Sequence, residues 1–248
     1  MSFSIGIPAF NALTYLKTTL DSVVKNTENL GEIIIIDDGS DQATKDFLKT
    51  LKDVTVVTNP VQKGFPFSCN KILRLSKFDK ICILNSDVYT PYHWDNLLYK
   101  FLNIDDCIVG PSTSRISGPQ QLDDIYPFAK MLLPDEIEKC AREVYSQFKL
   151  EAQNIATIGG FCYCLTKGVF QKVGFFDERF GLGSFEETDY SLRAKKLGIP
   201  SVWVKGAYVH HFGKASFRAY DYKTLWKKNE AIFQQKCAGK ICGEQVDQ

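Results

Sequence analysis

The feature that most limits what this chain can fold into is a regular alternation in its first half. Short β-branched apolar runs at Ser4–Ile7, Glu32–Ile36, Val54–Val57, Lys80–Leu84 and Cys107–Gly110 read as strands. Between them Leu13–Lys25, Asp41–Lys52, Pro66–Ser76 and Pro91–Leu102 carry helical periodicity, and Pro66 suits a first helical turn. The second run holds four consecutive isoleucines, Ile33 to Ile36, so neither face of that strand is polar. A strand apolar on both faces belongs to a parallel sheet covered by helices on both sides. An α/β class with a Rossmann-like, mostly parallel sheet follows.

The second half is less regular. Pro111–Asp124 is rich in Ser, Gly, Pro and Gln and reads as a loop near a site. Leu133–Glu151 reads as a helix, Ala156–Leu165 as a strand and Lys167–Val173 as a short helix. Ser201–Val204 and Ala207–His211 read as strands, and Tyr222–Cys237 as a final helix. With no repeat, low-complexity tract or linker, one domain over 1–248 is expected, divided functionally at 1–110, 111–218 and 219–248.

At 248 residues and 44% hydrophobic content the chain can bury a substantial core. A net charge of +1 argues against a nucleic-acid backbone as partner. No apolar run reaches membrane-spanning length, and no basic-then-apolar leader precedes the first strand. A soluble cytoplasmic protein is expected. The lysines Lys227, Lys228, Lys236 and Lys240 around Trp226, Ile232 and Phe233 read as a solvated helix face, with peripheral contact to an anionic membrane as the alternative. Eight cysteines without a Cys-x-x-Cys pair read as free thiols acting as small hydrophobes. Cys162 and Cys164 share a strand face, which makes no metal site without two more ligands.

Chemistry gathers where apolar strands end. Ile36 runs into Asp37, Asp38, Gly39 and Ser40. In open α/β sheets ligands sit beyond the carboxyl ends of strands. Ser40 or Asp41 can cap the next helix, but capping does not account for both Asp37 and Asp38, which can accept hydrogen bonds from a ribose hydroxyl or a base N–H. The Ile81–Leu84 run ends in Asn85, Ser86 and Asp87. Magnesium and manganese favour one or two carboxylates plus substrate phosphates, so Asp87 is a candidate metal ligand. His210 and His211 point to opposite faces of a strand, so only one is expected at the site. Lys63 is placed to meet a diphosphate or base, and Gly64 allows close backbone approach. The first strand leads into Gly6-Ile7-Pro8-Ala9-Phe10-Asn11, which excludes a Gly-x-Gly-x-x-Gly dinucleotide loop.

The stretch from Gly181 to Gly198 places Glu186, Glu187 and Asp189 at the head of an amphipathic helix. A structural account is available: Ser184 and Glu187 as a capping box, acids favouring the helix dipole, and an Asp189–Arg193 pair at i,i+4. A catalytic account is equally open from these residues alone.

Taken in order, the motifs resemble those of inverting glycosyltransferases of family 2, with the GT-A fold. The resemblance covers Ile5 to about Phe233. It runs through Pro8 and Asn11, Asp37–Ser40, Asn59…Gly64…Asn70, the Asn85-Ser86-Asp87 metal motif, Gly159-Gly160-Phe161, Phe176–Phe180, the acidic turn and His211. Gly110–Gln121 is similar to a loop of O-antigen and rhamnosyl-type members.

The resemblance implies a nucleotide-sugar donor (UDP-, dTDP- or GDP-linked), a divalent metal (Mn2+ or Mg2+), and a glycan or lipid-linked saccharide acceptor. A smaller mixed region would face that acceptor. Pro8, Asn11, Asp37, Asp38, Lys63, Gly64, Asn85 and Ser86 would bind the donor, with Gly159, Gly160 and Phe161 flooring the sugar. Asp87 and His211 would hold the metal. Glu187, with Glu186 and Asp189 beside it, would supply the base. Two departures stand out: Asn85 replaces the first acid of the metal motif, and Glu187 takes the place of the usual aspartate base. They motivate a second reading, a catalytically degenerate sugar-nucleotide-binding or scaffold protein in polysaccharide assembly. A sugar-nucleotide pyrophosphorylase would need a Gly- and Arg/Lys-rich first loop, which Gly6–Leu13 lacks.

Overall fold

The structure, a computed structural model, describes residues 2–122, 133–213 and 221–239. Strands β1 (Phe3–Ala9), β2 (Leu30–Asp37), β3 (Thr55–Thr58) and β4 (Lys80–Leu84) alternate with helices α1 (Leu13–Asn26), α2 (Gln42–Thr50) and α3 (Phe65–Leu75). Then come β5 (Val88–Tyr89), α4 (Trp94–Phe101), β6 (Ile108–Ser112), α5 (Pro134–Phe148), β7 (Ala152–Ile155), β8 (Cys162–Thr166) and α6 (Lys167–Val173). A 3-10 turn at Glu178–Phe180 leads to α7 (Glu186–Lys196), β9 (Ser201–Tyr208), β10 (His210–His211) and α8 (Tyr222–Cys237).

Eight strands form one sheet in the order β3-β2-β1-β4-β8-β6-β9-β7, and β5 with β10 forms a separate ribbon. The pairs β1–β2, β1–β4, β2–β3 and β6–β9 are parallel; β8 runs antiparallel between β4 and β6, and β7 runs antiparallel on β9. The isoleucine run does what its two-sided apolarity requires. Ile33 and Ile35 pack into the cluster with Ile5, Leu16 and Trp94, whereas Ile34 and Ile36 pack into the opposite one with Ile72, Ile83 and Tyr163. Each such side chain contributes about 1.5–3 kcal/mol of burial, which fixes the strand between two helix layers.

Three expectations change. Ala156–Leu165 is not one strand: residues 156–161 leave the sheet between β7 and β8, carrying Gly159 and Gly160 to the site. The expected pair Ser201–Val204 and Ala207–His211 is one strand to Tyr208, because Gly206 lets it pass the α5 end, where a Cβ would lie 2.0 Å from the Lys149 carbonyl. The Ser184 capping box is absent: α7 begins after Phe185, which is left-handed with φ 74°, and no side chain caps it. Asp41 does cap α2 through the Thr44 N–H at 2.8 Å, and Asp189 does pair with Arg193 at 2.9 Å.

Seven described cysteines are free. Cys82, Cys162 and Cys164 bring their thiols within 4.8 Å of one another inside the core, so the structure supplies one partner more than the strand pattern foresaw. Among the described residues no helix is long and apolar enough to cross a membrane. Cys242, Lys240, the end of the 111–124 loop and most of the Gly213–Arg218 segment lie outside the described residues.

The fold places the site by ending β1, β2 and β4 at one edge. Asp38 N–H donates to the Ala9 carbonyl at 2.8 Å, Asn59 N–H to Asp37 at 2.7 Å and Asn85 N–H to Phe161 at 2.9 Å. The Thr19 hydroxyl, fully buried on α1, lies 3.0 Å from the Ser86 carbonyl and 2.8 Å from that of Val88, and accepts the Val88 N–H at 3.1 Å. One side chain thus holds the bend that carries Asp87. Replacing Thr19 with Val leaves these groups buried and unmatched. It is expected to lower the unfolding free energy by about 1–3 kcal/mol in urea titration, whereas Thr18→Val, whose hydroxyl bonds only within its own helix, stays near neutral.

Candidate active site

Beyond the strand ends lies a cleft of about 220 Å³. Pro8, Asp38, Gly64, Asn85, Ser86, Gly160, Phe161, Glu186, Glu187 and His211 line it, while Asn11, Asp37, Asp87 and Gly159 stand outside the lining. The lining residues come from seven separate stretches of sequence, so the sheet edge has brought most of the expected set together.

The donor-side loop is organised by one carboxylate. Asp38, 4% exposed, accepts from Asn59 Nδ2 at 2.7 Å, Lys63 N at 2.8 Å and Gly64 N at 2.7 Å. Gly64 is left-handed (φ 101°), and a Cβ there would lie 1.9 Å from the Gly181 carbonyl, so this loop touches the acidic turn backbone to backbone. Asp37 accepts the Ser40 N–H at 2.9 Å through one oxygen; its other oxygen is buried without a hydrogen-bond partner. Asn11 ties the first loop to the same turn, accepting Asp41 N–H at 2.7 Å and donating its own N–H to Ser40 Oγ at 2.9 Å. Lys63 corrects its expected role: its side chain is exposed and absent from the cleft wall, and its backbone N–H does the work on Asp38.

Asp87 and His211 sit across the β5–β10 ribbon, where Val88 pairs with His211. His211 Nε2 is 3.3 Å from the Asp87 carboxylate and 3.5 Å from Asn85 Nδ2. His211 Nδ1 meets the Arg115 carbonyl at 2.7 Å, which requires an N–H there and directs Nε2 to Asp87. A neutral Nε2 and a carboxylate are both acceptors, so their approach calls for a proton or a cation between them. Burial pushes the His211 pKa down, but the Asp87 hydrogen bond and charge and the Arg115 carbonyl outweigh it, and the net direction is upward. The donor set, one carboxylate and one imidazole beside an open cleft, fits a hard divalent ion that shares its remaining positions with phosphate and water. His210 faces away, 3.1 Å from the Tyr208 hydroxyl, with its pKa pushed to about 4 by burial and by the neighbouring His211 and Arg115 charges.

Glu186 and Glu187 line the same cleft. Each has a carboxylate oxygen buried without a hydrogen-bond partner. Burial raises both pKa values, and the neighbouring Glu187 charge drives Glu186 further up; the Glu187 rise is moderated by N–H groups of its own backbone and of Gly160. Both shifts favour the protonated carboxyl, that of Glu186 the more strongly. Asp189 does not belong with them chemically. Its carboxylate is held by Arg193 at 2.9 Å and by Lys236 at 2.5 Å, and it is absent from the cleft wall.

The Gly159–Phe161 segment depends on a residue to which sequence reasoning gave no role. Gln120 is buried, accepts the Gly159 N–H at 2.8 Å and donates to the Pro111 carbonyl at 2.8 Å. Gly159 packs closely on Ile116: a Cβ would lie 1.9 Å from the end of the Ile116 side chain, which would have to move. Phe161 stacks on His211 with ring centroids 5.6 Å apart. A buried glutamine inside a polar loop was the available signal for Gln120.

The glycosyl transferase family 2 model matches residues 4–173, and the chain belongs to that family. It is 25% identical over 239 residues to a chondroitin synthase of Pasteurella multocida, covering 85% of this chain and 25% of that protein. It is 26% identical over 209 residues to an uncharacterized glycosyltransferase of Rickettsia typhi, covering 81% of this chain and 60% of that protein. The chain thus spans less than two thirds of either curated relative. Among solved structures it resembles GalNAc-T7 crystallised with UDP, GalNAc and Mn2+ (TM-score 0.67, 19% identity, 85% of this chain and 44% of that one). It also resembles the mannosyltransferase PcManGT of Pyrobaculum calidifontis crystallised with GDP-Man and Mn2+ (TM-score 0.62, 15% identity, 98% and 65%). These likenesses establish the GT-A fold.

The acidic pair has a measurable linkage. With its folded pKa above the ordinary 4.5, Glu186 contributes stability in the protonated form that is fully present below 4.5 and is lost as pH rises through the folded value. Glu186→Gln removes that loss. It is expected to raise Tm at pH 8, on a scale of about 2–4 °C per kcal/mol for a chain of this size, and to leave Tm unchanged at pH 4 when both are followed by calorimetry.

Proposed function

We propose that the chain is an inverting glycosyltransferase that moves a sugar from a nucleoside-diphosphate sugar to a hydroxyl of a glycan or lipid-linked saccharide. One observation carries the reading: a single cleft is lined by His211, which stands 3.3 Å from the Asp87 carboxylate behind the cleft wall, and by the desolvated carboxylates of Glu186 and Glu187. Donor-bound neighbours of this fold support it, including GalNAc-T7 with UDP and PcManGT with GDP-Man.

In this reading Asp37 offers its unpartnered oxygen to the base or ribose, while Asp38, Asn11 and Pro8 shape that pocket. Asp87 and His211 would hold Mn2+ or Mg2+, with Asn85 and Ser86 beside them. A divalent ion bound there supplies charge neutralisation to the departing diphosphate. Gly160 leaves room for the sugar, Gly159 lets the backbone behind it pack on Ile116, and Phe161 walls the space. Glu187 accepts the proton of the attacking hydroxyl. It is preferred to Glu186 because the Glu186 pKa is driven higher, so Glu186 keeps its proton while Glu187 is free to take one. A single displacement with no enzyme nucleophile inverts the anomeric centre. Seven free cysteines among the described residues suit the reducing cytoplasm. The O-antigen or rhamnosyl-type subgroup rests on the Gly110–Gln121 loop, and dTDP-sugars in the donor panel decide it.

The test is a thermal-shift panel of UDP-, GDP-, dTDP- and CMP-sugars with Mn2+ and with chelator. A true donor at 100-fold its Kd is expected to raise Tm by about 5–10 °C, and chelation to remove most of the rise. Glu187→Gln is expected to keep the donor shift and to lose about 10²–10⁴-fold in kcat. A donor shift in wild type with no transfer to any acceptor favours the binding or scaffold reading instead; full activity in Glu187→Gln removes the base from that residue.

A further inference from the structure

The family match ends at residue 173, before both the acidic turn and α8. The backbone into Glu186 is forced: Gly181, Gly183, Ser184 and Phe185 all have positive φ, at 56°, 124°, 82° and 74°. For Ser and Phe this region is unfavourable, so the turn persists only if something outside it holds it. Hydrogen bonds within the turn are few: Gly183 N–H reaches the Phe180 carbonyl at 3.2 Å, and Gly181 N–H reaches Glu178 at 3.0 Å.

The holding groups lie on one face of α8, at Trp226, Asn229, Phe233 and Lys236. Asn229, 1% exposed, donates from Nδ2 to the carbonyls of Phe180 at 2.7 Å, Gly183 at 2.7 Å and Ser184 at 3.2 Å. Its orientation is fixed by chemistry, because the reversed amide would set an oxygen against three carbonyl oxygens. Trp226 and Phe233 pack on the left-handed Phe185, with ring centroids 5.3 Å and 5.4 Å away. Lys236 reaches Asp177 at 2.6 Å and Asp189 at 2.5 Å, tying the segments before and after the turn to the same helix.

We propose that α8 is part of the transfer machinery, with Asn229 as a positioning residue that holds the Gly181–Phe185 turn and so sets Glu186 and Glu187 against the cleft. This rests on the transferase reading above. Carboxylate placement is what such a turn controls, and a misplacement of about 1 Å can cost about 10²-fold in rate. Donor binding is not expected to depend on it, since the donor groups stand on the β1, β2 and β4 ends.

Asn229→Asp keeps the size and removes the N–H donor. It is expected to lower kcat at least about tenfold while donor Kd by calorimetry stays within about twofold. Hydrogen exchange of residues 181–187 should quicken, with residues 33–37 and 81–84 unchanged. Lys228→Ala, on the exposed side of α8, should match wild type in both readouts. If Asn229→Asp fails to fold, Asn229→Ala serves, as water can enter the smaller site. Unchanged kcat and unchanged exchange would overturn the proposal; so would a loss of kcat with the core strands loosened equally, since that is general destabilisation. If wild type transfers sugar from no donor, the transferase reading fails by itself, and local exchange in the variant still decides whether Asn229 holds the turn.

Discussion

The constraint on which the site depends is the shape of the backbone between Gly181 and Glu186. Two carboxylates cannot be presented together, partly desolvated, at the head of a helix unless the chain enters that helix from an unusual direction. The left-handed run through Ser184 and Phe185 provides the direction, and it costs energy that local bonds do not return. Its support comes from three parts of the fold. Gly64 meets the Gly181 carbonyl from the donor side. Asn70, buried on α3, accepts the Phe176 N–H at 2.8 Å and donates to the Phe176 carbonyl at 3.0 Å, fixing the approach to the turn. The inward face of α8 closes the far side.

The two titratable pairs at the cleft obey opposite electrostatics. Glu186 and Glu187 stand in a desolvated place that raises both pKa values, and the Glu187 charge raises that of Glu186 further, whereas the Glu186 hydrogen bond moderates the rise of Glu187. Asp87 and His211 are opposite charges, so burial, which alone would empty the imidazole of its proton, is overruled. One pair therefore favours an added cation and the other an exchangeable proton, the two properties that a departing diphosphate and an attacking hydroxyl would call on in the proposed transfer.

Several polar residues that look chemical are structural, and the structure shows what they hold. Asp189 joins α7 to α8 through Lys236 and braces α7 through Arg193. Arg193 in turn donates to the carbonyls of Val173 and Phe175, both at 2.7 Å, which ends α6 against α7. Lys236, read as a solvated or membrane-facing lysine, is 14% exposed with two carboxylates around it, and Trp226 and Phe233 turn toward Phe185. The apolar face offered to a bilayer by sequence is thus partly taken up by the protein itself, with Trp226 keeping 38% of its surface exposed.

The sequence by itself determined the sheet's nature and the location of its chemistry. Four isoleucines in a row admit only a strand covered on both faces, and acids directly after such strands must emerge at the sheet edge. Asp37, Asp38 and Asp87 were legible for that reason, and so were the helix cap at Asp41 and the Asp189–Arg193 pair, which depend on spacing of four residues or fewer. Tertiary structure decided what depends on distant segments meeting. Ala156–Leu165 has the composition of one strand, but β8 must pair with β4 and β6 while β7 pairs with β9, and the break delivers Gly159 to Gln120. Ser184 and Glu187 have the spacing of a capping box, but contacts from α8 impose a left-handed entry that excludes it. Asn229 is silent in sequence because its meaning lies in three carbonyls about 45–49 positions away, and only the packed chain brings a donor to them.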